Sequence, residues 1–170
     1  MEPFKAKPLS ANPRDAASPW EAWPLGRLIH SWGPALINMA VIFWLSSQPQ
    51  LGGPHWLEEL VRGWLQEGPL LERVLPVVAW VEPYTSWAGH LVAYGCLALA
   101  LLWGIRRQWP ARPGAWRLAW LGALLYGLTD EWHQHFVPGR HTDWRDLLTD
   151  GIGAGLALAA AYLWQRHRRT

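Results

Sequence analysis

Four apolar stretches, Ile29–Ser47, Tyr84–Gly104, Trp116–Phe136 and Trp144–Trp164, dominate the chain. Each is about the ~20 residues that a helix needs to cross ~30 Å of hydrocarbon. They are apolar on all faces, whereas a helix on the surface of a soluble domain keeps a polar stripe. Within lipid a segment must satisfy its own backbone N–H and C=O groups, which leaves the helix as the conformation for a lone span. The expected fold class is therefore all-α, an integral membrane four-helix bundle. A soluble four-helix bundle is the alternative, and it lacks the polar stripes it would need.

Composition agrees. Hydrophobic residues make up 51 % of the 170 and charged residues 16 %, against roughly 25 % charged in an ordinary soluble protein. The mean hydropathy of −0.04 is held down by 15 Trp and by polar links. Tryptophan settles at both membrane–water interfaces, where its amphipathic ring is at home. The net charge of +2 includes no basic stripe interleaved with exposed aromatics, so nucleic acid is not an expected partner. Cys96 stands alone inside an apolar run, which removes a disulfide framework or a Cys-based metal site and reads as a small buried hydrophobe. The first 30 residues hold Pro3, Pro8, Pro13, Pro19 and Pro24 and no continuous apolar core, so no cleavable signal peptide is expected there. Residues 1–28 read as a flexible cytoplasmic tail with Trp20 and Trp23 at its interfacial end, 29–166 as the membrane domain, and 167–170 as a basic tail.

The links set an orientation. Lys5, Lys7, Arg14 and Arg27 precede the first stretch; Arg106, Arg107, Arg112 and Arg117 lie between the second and third without an acid; Arg166, Arg168 and Arg169 close the chain. The positive-inside rule puts all three on the cytoplasmic side of the membrane, with both termini inside. The link between the first two stretches, rich in Glu58, Glu59, Glu67, Glu72 and Glu82, then faces outward, as does the link between the last two. In that first outer link Trp56, Leu57, Leu60, Val61, Trp64 and Leu65 recur at helical spacing, predicting a short amphipathic helix that lies on the outer leaflet, caps the bundle, or packs on the protein alone.

Between the last two apolar stretches, Tyr126–Asp150 carries Asp130, Glu131, His133, Gln134, His135, Arg140, His141, Asp143, Arg145, Asp146 and Asp150. Ionisable groups at the edge of a span are costly and mark function by default. Counting rise per residue, His90, Asp130 and Asp150 each lie about six residues from an outer end, roughly 9 Å deep. His90 and Tyr94, Asp130 and Gln134, Glu131 and His135, and Asp146 and Asp150 are pairs one turn apart. Asp130 should face the interior and find Arg140 or His90 as partner. Val137–Pro138–Gly139–Arg140 reads as a turn that folds the guanidinium over the cluster. Gly151, Gly155 and nearby alanines would let the last helix approach closely.

These groups admit several chemistries. Glu131, His133, His135 and His90 are metal-ligand types, but His133 and His135 are two apart and point to different sides of a helix, so no metal or other cofactor is expected. An acid–base set would use Asp130 or Glu131 as base, His90 as acid and Arg140 as charge clamp, without an evident Ser, Thr or Cys nucleophile. Arg140 with neighbouring donors suits a phosphate or carboxylate. A satisfied polar knot locking helices together is the structural reading. His30, His55 and His167 read as interfacial.

With SSQP at Ser46–Pro49, H-x-x-x-Y at His90 and Tyr94, and DEWHQHFVPGRHTDWRDLLTDGIG at Asp130–Gly153, the chain resembles the VanZ-like family of small bacterial membrane proteins, named for a teicoplanin-resistance protein. The resemblance covers about residues 30–165. It implies that Asp130, Glu131, Gln134, Arg140 and Asp146, with His90, form the family's polar motif, and it implies a link to the cell envelope and lipoglycopeptide resistance without a defined activity. Ser86 and Trp87 stand where the family often has an Asp–Lys pair, and Asp150 where an Asn is common, which removes a cation and adds negative charge. The expected site is an outward polar pocket of His90, Tyr94, Asp130, Glu131, Gln134, Arg140, Asp146 and Asp150. Its expected partners are membrane lipids, an anionic headgroup or a lipid-linked cell-wall precursor. An enzyme acting on a lipid or phosphate ester and a passive scaffold are the rival functions.

Overall fold

The computed structural model describes residues 24–49, 55–65, 67–140 and 142–169. Among these residues five α-helices follow in order: α1 (Pro24–Ser46), α2 (Trp56–Leu65), α3 (Pro69–Gln108), α4 (Ala115–Gln134) and α5 (Trp144–His167). α1 starts inside the region read as tail, because Pro24 suits a first helical position that needs no N–H. The rest of that tail, with Trp20 and Trp23, lies outside the described residues, as do His141 and Thr170.

Among the described residues, three helical segments are long and apolar enough to cross a membrane: Leu25–Ser46, Tyr84–Gln108 and Trp144–His167. α4 is not one of them, since its 20 residues include Arg117, Asp130 and Glu131. It nevertheless packs on α1, α3 and α5. α3 is central, touching every other helix and α5 most extensively. Its 40 residues rise about 60 Å, twice what a bilayer needs, so residues 69–83 extend the second apolar stretch rather than forming part of a loose link.

Small residues set the spacing. Ala35, Ala98, Ala115, Ala119, Ala123 and Ala154 are buried where helices meet, with Tyr94, Leu97, Leu102, Ile105 and Leu158 filling the space between. Among the described glycines the tightest backbone contact is between α5 and α3 at Gly153, where an added Cβ would meet the Leu91 carbonyl oxygen and lie 2.7 Å from Leu91 Cα. Gly151 and Gly155, expected to permit close helix approach, face α4: Trp120 Nε1 donates to the Gly151 carbonyl at 2.9 Å. Large apolar side chains such as Ile37, Phe43, Leu125, Leu156 and Leu163 point outward and are exposed. Cys96 is also exposed, correcting its reading as a buried hydrophobe. It lies on an outward face of α3, and in a span such a face meets lipid.

The polypeptide also has two distinct ends. At one, Arg106 stacks on Trp116 with 4.3 Å to the ring centre and donates to Gln165 at 2.9 Å, and Arg168 covers Trp164 at 4.5 Å. At the other lie the acids, His90 and α2. There Glu82 of α3 accepts the Leu57 and Glu58 backbone N–H groups at 2.8 and 3.4 Å, capping the start of α2. No residue of α2 is fully buried, and Trp64 is 83 % exposed. The amphipathic helix thus docks by its first turn, with Trp56, Leu57 and Val61 partly covered, and leaves Leu60, Trp64 and Leu65 exposed.

Candidate functional site

α1, α3, α4, α5 and the α4–α5 turn each send polar groups to the α2 end of the molecule. His90 on α3 is sandwiched by the two Asp one turn apart on α5: its Nδ1 lies 2.8 Å from Asp150 Oδ1 and its Nε2 4.0 Å from Asp146 Oδ2. Asp150 is 1 % exposed. Tyr94, one turn along α3, lies with its ring plane within 2° of that of His90. Gly127 on α4 makes room here, since a Cβ at that position would sit 2.8 Å from Asp150 Oδ2 and 3.3 Å from the Tyr94 ring.

Asp130 follows a different course from the one expected. Its donors are Ser46 Oγ at 2.9 Å and Gln134 Nε2 at 3.0 Å, both to Oδ2, and Gln134 also reaches Ser46. Neither Arg140 nor His90 pairs with it. The reason is topological: the end of α1 is nearer than the turn, and α5 has claimed His90. Ser46 is the residue that sequence reasoning missed, although it opens the SSQP string, whose partner could not be read without the fold.

Glu131 Oε2 accepts the Asp143 N–H at 3.1 Å, tying the end of α4 to the start of α5, where the Asp143 side chain caps the helix through the Arg145 N–H at 2.9 Å. His133 and His135 serve other partners. His133 Nε2 lies 3.1 Å from Ser47 Oγ with its ring stacked on Phe43, while exposed His135 meets Phe136 edge-on. They do not converge with His90 and Glu131 on one point. A different trio, His55, Glu58 and Glu82, does bring three metal-ligating atoms within 4.8 Å of one another beside α2. His55 is 68 % exposed in its side chain, and both carboxylates already bind neighbouring donors.

Arg140 is positioned by its turn. Its N–H donates to the Val137 carbonyl at 3.1 Å, Pro138 takes the second place, and Gly139 has φ of +80°, as the third place of a type II turn requires. The side chain enters the wall of a cavity of about 400 Å³. Ile42, Leu45, Ala93 and Trp56 supply apolar wall; Ser46, Thr85, His90, Tyr94, Asp130 and Arg140 supply polar groups. That mix, mostly apolar with a few convergent polar groups, is typical of small-molecule sites. Several buried polar atoms have no hydrogen-bond partner of normal geometry: Tyr94 OH, Asp130 Oδ1, Arg140 Nε, Glu131 Oε1 and Asp150 Oδ2. The first three belong to residues of the cavity wall.

A family model described as VanZ/LLP1 matches residues 33–165. The chain belongs to the VanZ/LLP1 family. No curated protein and no solved structure gives a match. The match takes in all of α3, α4 and the turn, together with Ser46, so every polar group of the cavity lies within the VanZ/LLP1 region. With three helices able to cross a bilayer, it marks a membrane protein.

Proposed function

We propose that this VanZ/LLP1 protein spans the inner membrane four times, with both termini cytoplasmic and the α2 end outward, and that its cavity binds an envelope lipid or lipid-linked cell-wall component. The observation that carries this is the cavity itself, apolar along Ile42, Leu45 and Ala93 and lined at its polar end by buried atoms without partners. Buried polar atoms cost about 1–3 kcal/mol each when unsatisfied, so a ligand that supplies partners gains what the free protein lacks. α4, as long as a minimal span, counts as the fourth because it packs on α1, α3 and α5. The arginines at the end opposite the cavity support the orientation. The exposed Leu60, Trp64 and Leu65 of α2 suit the outer interface. A link to teicoplanin resistance would act here, through the lipid or precursor held at the outer face.

Native mass spectrometry of the protein released from mild detergent tests the reading. Wild type is expected to retain a discrete lipid, and Arg140→Ala to lose it while keeping its thermal midpoint, since Arg140 has no ion pair among the described residues. Identical lipid profiles for the two proteins would contradict it.

A further inference from the structure

The cavity wall contains one carboxylate and one guanidinium that are not paired with each other. Asp130 is 4 % exposed, its Oδ2 is occupied by Ser46 and Gln134, and its carboxylate lies beside the Tyr94 hydroxyl, with Oδ1 making no hydrogen bond of good geometry. Arg140 is half-buried and its Nε is unpartnered. Neither has a counter-charge within 4.0 Å among the described residues. The other nearby charges are accounted for: His90 holds Asp150 and faces Asp146, Asp146 attracts Arg140 only from beyond 4.0 Å, and Glu131 accepts from the Asp143 backbone.

An anion alone would answer Arg140 and leave Asp130 facing like charge. A cation alone would do the reverse. Resting on the lipid-binding reading, we infer that the cavity recognises a zwitterionic aminoalkyl phosphate head, its phosphate against Arg140 and its primary ammonium against Asp130 and Tyr94. The guanidinium N–H donates to a phosphate oxygen, the pairing for which its geometry is suited. The ammonium N–H donates to Asp130 Oδ1, and the Tyr94 hydroxyl oxygen accepts a second N–H. A quaternary ammonium has no N–H and cannot donate to Asp130 Oδ1, so the site discriminates by donor as well as by charge. This replaces the purely anionic headgroup expected from Arg140 alone. The acyl chains would follow Ile42, Leu45 and Ala93.

The test titrates the full chain in dodecyl maltoside with phosphatidylethanolamine, phosphatidylglycerol and phosphatidylcholine of identical acyl chains, reading bound fractions by native mass spectrometry. The ethanolamine lipid is expected to bind on the order of tenfold tighter than either of the others, the size of one charge-assisted hydrogen bond. Asp130→Asn should erase its advantage over phosphatidylglycerol, and Arg140→Gln should weaken it even if Asp130→Asn proves too unstable to assay. Equal or tighter binding of phosphatidylglycerol overturns the zwitterion assignment and leaves the lipid site standing. Retention of none of the three lipids overturns the lipid site. In that case binding of soluble O-phosphoethanolamine, lost in Arg140→Gln, would keep the head chemistry and move its source to a free metabolite, and no binding would overturn both.

Discussion

Gly153→Ala is expected to lower the thermal midpoint by several degrees, whereas Gly155→Ala, the same change two residues away, leaves it level or raises it. In an exposed helix interior Gly→Ala gains about 1 kcal/mol from helix propensity. At Gly155 the new Cβ would meet only Trp120 Nε1 at 3.7 Å, an ordinary contact, so that gain survives. At Gly153 the Cβ is driven onto the Leu91 backbone, with Leu91 Cα at 2.7 Å and C at 2.9 Å, and a backbone cannot step aside as a side-chain end can. Overpacking of this kind costs about 1–3 kcal/mol and occasionally more. At about 2–4 °C per kcal/mol for a chain of this size, thermal melts in detergent separate the two variants. A matching fall in both would mean that α3 and α5 do not meet at Gly153. Because this contact also brings His90 to α5, Gly153→Ala should disturb the polar cluster.

The second large effect belongs to that cluster. Asp150→Ala removes the acceptor 2.8 Å from His90 Nδ1 in a place where water does not substitute freely. A buried donor left unsatisfied costs about 1–3 kcal/mol. His90→Ala, Asp150→Ala and the double variant, measured as a cycle, should give a coupling free energy of about 0.5–3 kcal/mol. The parallel cycle with Asp146, whose carboxylate is 4.0 Å from His90 Nε2, should give a smaller one. Asp150→Asn keeps an acceptor oxygen and should be milder than Asp150→Ala. Additive losses in the first cycle would show that His90 and Asp150 do not act as a pair.

How far the sequence foretells this architecture depends on whether the signal is local. The apolar stretches became α1, α4, α5 and the Tyr84–Gln108 part of α3 within a few residues, because helix length and apolarity need no tertiary partner. The periodicity of Trp56–Leu65 gave α2, and Pro138–Gly139 gave the turn that carries Arg140. Residues 69–83 look like a link by their charges and prolines, yet α3 runs through them, with Glu82 recruited to cap α2. Choosing Gly153 over Gly151 and Gly155 required knowing which face of α5 meets α3. The same limit explains Asp130, whose donor Ser46 is 84 residues away. Cys96 shows it in reverse: in an apolar span, burial in protein and burial in lipid have the same sequence signature. The common level of His90, Asp130 and Asp150 is visible by counting rise per residue, but which of them pair is not.

Where an acyl chain and its head sit is tested most directly by photo-crosslinking in vesicles with a phospholipid bearing a diazirine near the glycerol. Adducts mapped by peptide mass spectrometry are expected to concentrate on the cavity wall, at Ile42, Leu45, Gly89 and Ala93, and to fall when the same lipid without the diazirine is added in excess. Adducts spread over outward-facing residues such as Leu125, Leu156 and Leu163, with no enrichment in the cavity and no competition, would contradict the account.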